Sequence, residues 1–264
     1  MKLVKIIAIS ALLSTILWSS GVILTLNNYF FSSTSSFSAK QQSSNELLPS
    51  SDLLIVGLGD SLTRGTGDTT GNGYISYMLE DLTQKSSQPI QLSNLAIKGY
   101  TSQQLVEQVQ QSEVQRQIQQ STIILLSIGG NDLFQGGEAL MNVSESSIDV
   151  SVNQYINNLN KIYSTLRSLN KHATIFHIGL YNPFSELDHS ALTSSAVRDW
   201  NFKTEELAAT YKDIIVVPTF DLFQLNVQDY LYSDQFHPNS KGYQLIGERI
   251  SSLITFHEEE KGNE

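Results

Sequence analysis

Two short blocks, more than 170 positions apart, hold the residues of a nucleophilic hydrolase: Gly59-Asp60-Ser61-Leu62 and Asp234-Gln235-Phe236-His237. A serine hydroxyl is a poor nucleophile near neutral pH. It needs a base to take its proton and a carboxylate to orient that base. Ser61 supplies the hydroxyl, His237 the imidazole and Asp234 the carboxylate. The last two are three residues apart, a spacing that lets a tight turn set the carboxylate against Nδ1 while Nε2 faces the serine. Pro238 follows directly and helps to end the loop and start a helix. Taken separately, each block is also ordinary turn chemistry, with Asp234 as a turn cap and His237 as a surface residue.

Acyl transfer also develops an oxyanion, and each donor aimed at it is worth ~10²–10³ in rate. Gly129-Gly130-Asn131-Asp132 can turn the backbone sharply and aim the Asn131 amide at a pocket, and Gly99 can present an unobstructed backbone N–H.

These residues need a frame that brings them to one edge. Apolar, β-branched runs at Asp52–Gly57, Ile90–Leu95, Thr122–Ile128, Ala173–Gly179 and Ile214–Pro218 predict five strands. They run continuously rather than alternating, as strands buried on both faces of a parallel sheet do. Between them the spacing is helical. Val152, Tyr155, Ile156, Leu159, Ile162, Tyr163, Leu166 and Leu169 make one apolar stripe, and Tyr243, Ile246, Ile250 and Leu253 another on a helix from about Ser240. Thr101 with Gln104 and Ser151 with Gln154 have capping-box spacing at helix starts. Strands alternating with crossover helices imply a three-layer α/β/α sandwich around a five-stranded parallel sheet. Ser61, Gly99 and Asn131 each follow a strand, at the edge where open α/β sheets hold ligands. Strand order does not follow from periodicity.

On these four blocks, taken in order, residues 52 to 255 resemble the SGNH hydrolase family, also called GDSL-type esterases and lipases. Gly59-Asp60-Ser61-Leu62 is the nucleophile block, Gly99 in Asn94-Leu95-Ala96-Ile97-Lys98-Gly99 the second, Gly129-Gly130-Asn131-Asp132 the third and Asp234-x-x-His237 the last. The resemblance implies a flavodoxin-like sandwich, a Ser61–His237–Asp234 triad, and an oxyanion hole from the N–H groups of Ser61 and Gly99 and the Asn131 side chain. It implies neither a metal nor an organic cofactor, and carboxylic esters or thioesters as substrates.

Other chemistries fit less well. Gly57-x-Gly59-x-x-Leu62 lacks the third glycine of a dinucleotide fingerprint, and Gly59-Asp60-Ser61-Leu62-Thr63 is not a Gly-x-Ser-x-Gly elbow. His172, His177, His189 and His257 have no metal-ligand spacing, and His177 sits inside a strand run, as a core histidine would. Arg64, Tyr74, Asn182 and Phe184 are further pocket candidates, with surface or core roles as the default. A net charge of -10 without any basic run argues against nucleic acid.

The N-terminus adds a location. Residues 3–26 are almost wholly apolar, and Ile6 to Leu26 is 21 residues, enough to cross a bilayer core. Residues 1–31 therefore read as an uncleaved signal anchor. A cleaved signal ending near Ser19-Ser20-Gly21 is the other reading. Lys2 and Lys5 precede the span, which leaves the body of the protein outside the cell. Residues 32–51 are serine-rich and read as a flexible tether, 52–257 as one catalytic domain, and 258–264 as an acidic disordered tail. An exported chain without cysteine suits a Gram-positive surface. The expectation is a monomeric, membrane-anchored extracellular esterase. Lipid acyl esters such as lysophospholipids, small acyl esters, or O-acetyl groups on glycans are candidate substrates, with a surface-interaction module lacking turnover as the non-enzymatic alternative.

Overall fold

The computed structural model describes residues 14–15, 52–134, 145–186 and 190–255. By packing, the chain divides into Met1–Pro49 and Ser50–Glu264, and everything below concerns the second unit. The expected anchor, tether and acidic tail lie outside the described residues, except Ser14 and Thr15, which are helical. Among the described residues no helix is long and apolar enough to cross a membrane.

In chain order, β1 (Leu53–Gly59) leads to α1 (Ser61–Arg64) and α2 (Gly73–Lys85), and β2 (Ile90–Asn94) to α3 (Ser102–Gln108) and α4 (Ser112–Gln120). Next, β3 (Ile123–Ser127) leads to α5 (Gly130–Phe134) and α6 (Glu145–Leu169), and β4 (Thr174–Ile178) to α7 (Ser190–Ala208). Last, β5 (Ile214–Val217) passes through short 3₁₀ turns at Asp221–Phe223 and Val227–Tyr230 into α8 (Ser240–Leu253). The sheet order is β2-β1-β3-β4-β5 with every pair parallel. The order reverses between β1 and β3, which opens a crevice at their carboxyl ends, where this topology holds its ligands.

Side chains of the central strands alternate between two apolar cores. Val56, Leu58, Ile124 and Leu126 pack with Val152, Tyr155, Leu159, Ile162 and Leu166 of α6 on one face. On the other, Ile55, Ile123 and Leu125 meet Tyr74, Met78 and Leu82 of α2 and Tyr243, Ile246 and Ile250 of α8. Leu125 and Leu126 are fully buried, one to each layer. Each such leucine contributes about 1.5–3 kcal/mol by burial, which is what clamps β3 between the layers.

Three expectations need correction. Burial on both faces holds for the central strands but not for β2, where Gln91 and Leu92 are exposed, nor for β5, where Ile215 is; these strands form the sheet edges. Ser151 does not start a helix but lies inside α6, because the apolar stripe extends back through Ile148, which packs on the core. Leu253, in the last turn of α8, is exposed rather than inward. At Thr101 the capping box does form, with the Thr101 N–H donating to Gln104 Oε1 at 2.9 Å.

Candidate active site

Ser61 is mounted on the core. Asp60 caps α1 by accepting the Leu62 N–H at 3.0 Å, and its backbone N–H donates to the Ser127 carbonyl at 3.0 Å. Gly59 has φ +115 and lies so close to β3 that a Cβ would collide with the Ser127 carbonyl oxygen, so only glycine allows this approach. Beneath the serine runs a buried relay. Thr63 accepts from Tyr74 (2.7 Å) and donates to Ser127 Oγ (2.8 Å), which donates to Asp60 Oδ1 (2.6 Å). Burial pushes the Asp60 carboxyl up to about 6, while the bonds from Ser127 and Leu62 oppose that shift. Without those donors the buried carboxylate would stand uncompensated.

The candidate base, His237, lies on a loop between the second 3₁₀ turn and α8. An antiparallel bridge pairs Leu231 with Pro238, and the Tyr232 N–H donates to the His237 carbonyl at 2.8 Å, closing a narrow loop over 232–237. Within it Asp234 Oδ1 accepts the N–H groups of Phe236 and His237, and its Oδ2 meets His237 Nδ1 at 2.7 Å. Partial burial would raise the Asp234 carboxyl, but the hydrogen bonds from His237 and Phe236 outweigh it and hold the group below its usual range. Tyr181 donates to the Phe236 carbonyl at 2.6 Å, tying the loop to the end of β4.

The two mounts meet: His237 Nε2 lies 2.8 Å from Ser61 Oγ. With Nδ1 held by the carboxylate, Nε2 is the ring nitrogen that faces the serine hydroxyl.

The oxyanion candidates lie on the same edge. Ser61 opens α1, so its N–H has no intrahelical acceptor and finds none among the described residues. Asn131 sits in the first turn of α5; one amide hydrogen donates to the Tyr100 carbonyl at 2.8 Å, and the other has no acceptor among the described residues. Gly99, at φ +83, occupies the third position of a turn closed by Tyr100 N–H to Ile97 carbonyl, a place that demands glycine. This turn is held to β1 by Ile97 N–H donating to the Gly59 carbonyl at 2.9 Å, and the Gly99 N–H has no acceptor among the described residues. Gly99 lies beside, rather than in the wall of, the recess that Ser61, Asn131 and His237 share.

That recess has a volume of about 40 Å³ open to the centre of a water-sized sphere. Asp60, Ser61, Asn131 and His237 form its polar side; Phe134, Leu180, Tyr181, Pro183 and Phe236 form its apolar side. Phe134, Phe184 and Phe236 stack edge-on or tilted, with centroids 5.2–6.1 Å apart, which stiffens the apolar wall.

A sequence profile of the GDSL-like lipase/acylhydrolase family matches residues 58–245. The chain belongs to this family. It is therefore an ester-hydrolysing enzyme, with the fold that membership implies. YpmR, an uncharacterized protein of Bacillus subtilis, is 31% identical over 222 residues, covering 81% of this chain and 86% of its own. The spore germination lipase LipC of Bacillus licheniformis is 22% identical over 204 residues, covering 75% and 94%. Among solved structures, the lipase Lip_vut3 from a goat rumen metagenome superposes with a TM-score of 0.66 at 21% identity, covering 76% of this chain and 96% of its own. The acetylxylan esterase Axe2 of Geobacillus stearothermophilus does so with 0.60 at 19%, covering 77% and 94%. At these identities the structural likeness speaks to the fold.

Of the further pocket candidates, Tyr74 is core and belongs to the relay, Arg64 is exposed, and Asn182 bonds to Thr193 and Ser194 away from the recess. Phe184 packs behind the wall against Phe134 and Phe236. His177 is buried against Tyr163, and burial pulls its imidazole down to about 4, as befits a neutral core histidine. His189 and His257 lie outside the described residues. The Ser127–Thr63 relay and the aromatic wall escaped the sequence analysis. Phe184, a pocket candidate from the sequence, and Phe236, adjoining His237, are the two signals that point to the wall.

Proposed function

We propose that this enzyme is an exported, membrane-anchored serine esterase that cleaves acyl esters through an acyl-Ser61 intermediate. The observation carrying this reading is the 2.8 Å approach of His237 Nε2 to Ser61 Oγ across 176 positions of sequence. His237 takes the Ser61 proton as Oγ bonds to the ester carbonyl carbon, and Asp234 steadies the resulting imidazolium. The tetrahedral oxygen accepts from the N–H groups of Ser61 and Gly99 and from the Asn131 amide. His237 then gives its proton to the departing alcohol, and water repeats the sequence to release the acid.

The stiff wall of Phe134, Phe184 and Phe236 beside Ser61 favours short acyl groups, from simple esters to O-acetyl groups on glycans. Long-chain lipid esters, including lysophospholipids, are the second reading; the apolar wall and the apolar segment at residues 3–26 favour it. A p-nitrophenyl ester series separates them. The short-acyl reading expects kcat/KM to be highest at acetyl to butyryl and to fall steeply beyond, whereas a rise toward long chains contradicts it. Protease treatment of intact cells tests the location: the extracellular reading expects residues 52–257 to be cleaved without lysis, and full protection contradicts it.

A further inference from the structure

A second cavity opens at the same carboxyl edge of the sheet, beyond β4. Its volume is about 210 Å³ open to the centre of a water-sized sphere, where one water needs about 10–15 Å³ on that measure. Its walls come from the segment after β4 (Asn182, Ser185), from α7 (Ser194, Arg198) and from the turn after β5 (Phe220, Phe223, Gln224).

The chemistry of this lining is one-sided. Arg198 stacks its guanidinium 4.6 Å over the Phe220 ring, which positions the group without using up its in-plane N–H donors. No carboxylate among the described residues pairs with it, although acidic residues outnumber basic ones 26 to 16 in the chain. Ser185 Oγ is buried and has no hydrogen-bond partner. Native proteins rarely leave such an atom unpaired without a ligand or solvent role for it. Ser194 accepts from Asn182 Nδ2 at 3.0 Å, leaving its own hydroxyl proton to donate. The Gln224 side chain makes no bond within the described residues and adds an amide donor. Asn182 itself is fixed, since it donates to Thr193 and Ser194 and accepts the Phe184 N–H. Among the described residues the cavity therefore presents a positive charge and three neutral donors, with no acidic side chain in its lining.

We infer that this cavity is a binding site for an oxyanion of the phosphoryl type. A guanidinium held face-on to an aromatic ring with three further donors matches the several acceptor oxygens of such a group. The location gives the site a consequence for the ester reaction. Along the segment after β4, Leu180, Tyr181 and Pro183 line the recess at Ser61, while Asn182 and Ser185 line the second cavity. The phosphoryl group is either that of a free anion or one carried on the alcohol side of an ester substrate.

Calorimetric titration of the full-length protein with inorganic phosphate tests the free anion. The expected result is saturable binding that Ser61→Ala leaves unchanged and that Arg198→Gln and Ser185→Ala weaken, the former by at least about tenfold. Arg198 is exposed, so its replacement does not threaten the fold. The second arm rests on the esterase reading and compares an ester bearing a phosphoryl group on its alcohol with an uncharged ester of the same acyl chain. Arg198→Gln should raise KM for the first at least about tenfold and leave p-nitrophenyl acetate turnover unchanged. Either result supports the site and names the source of the anion. Absence of phosphate binding, together with a KM for the phosphoryl ester that is the same in Arg198→Gln as in the wild type, overturns it. Because the calorimetric arm needs no turnover, failure of the site and failure of the esterase reading give different patterns.

Discussion

The two carboxylates beside the proposed catalytic pair are held in opposite ways. Asp60, next to the proposed nucleophile, is 5% exposed and sits on a relay of side chains drawn from α1, α2 and β3. Asp234, next to the base, has a side chain 41% exposed and is held entirely by its own loop, through His237 and Phe236. The position of Ser61 is thus a property of the folded core, whereas that of His237 is set by six residues closed by one bridge and tied to the sheet through Tyr181. A fold that shares its scaffold widely can vary the second without disturbing the first.

Replacements at the site break this contrast in a graded order. Ser61→Ala should reduce p-nitrophenyl acetate turnover on the order of 10⁶-fold, with a thermal midpoint close to that of the wild type because the hydroxyl itself supports no core bond. Steady-state kinetics and calorimetric unfolding check the two halves. Asn131→Ala should lower kcat by about 10²–10³-fold through the lost oxyanion donor, a loss read at saturating ester. Asp234→Asn should cost less than the ~10⁴-fold known for a buried triad aspartate, because water reaches this exposed side chain and supports the imidazolium in part. The expected fall in kcat is on the order of 10²-fold, measured beside His237→Ala, whose loss should be far larger.

The pH dependence of stability sharpens the comparison, because the two carboxylates should slope in opposite directions. The folded-state value for Asp60 is raised to about 6 from an ordinary 3.8, so its contribution is fully present below about 4 and is lost as pH climbs through 6. Relative to Asp60→Asn, the wild type should lose on the order of 2–3 kcal/mol of unfolding free energy between pH 4 and pH 7. Asp234 is lowered, so its smaller contribution is present above its ordinary value and is lost as the solution is acidified below it. Urea unfolding across pH reads both. Parallel curves for wild type and Asp60→Asn would contradict the account of the buried relay.

Much of this molecule was legible in its sequence, for reasons particular to each part. The strands stood out because β1 and β3 are continuous apolar runs, and the site stood out because Ser61, Gly99, Asn131 and His237 each sit where a strand or turn ends. The edges were less readable: Leu92 and Ile215 have the composition of buried residues but face solvent, since strand order decides burial. The start of α6 was misplaced because Ser151 and Gln154 have capping spacing by coincidence, while packing through Ile148 carries the helix further back. The Tyr74–Thr63–Ser127–Asp60 relay was invisible because Ser127, which joins Thr63 to Asp60, reaches them only through the pairing of β1 with β3. The Arg198 cavity escaped because three segments from two connections, the one between β4 and β5 and the one after β5, assemble it on one edge of the sheet.

The central claim is that His237 activates Ser61 as a nucleophile, and a fluorophosphonate probe followed by peptide mass spectrometry tests it most directly. The account predicts a single adduct on Ser61 in the native protein, strongly slowed in His237→Ala and absent after denaturation. An unmodified Ser61, or labelling at an equal rate in His237→Ala, would contradict it.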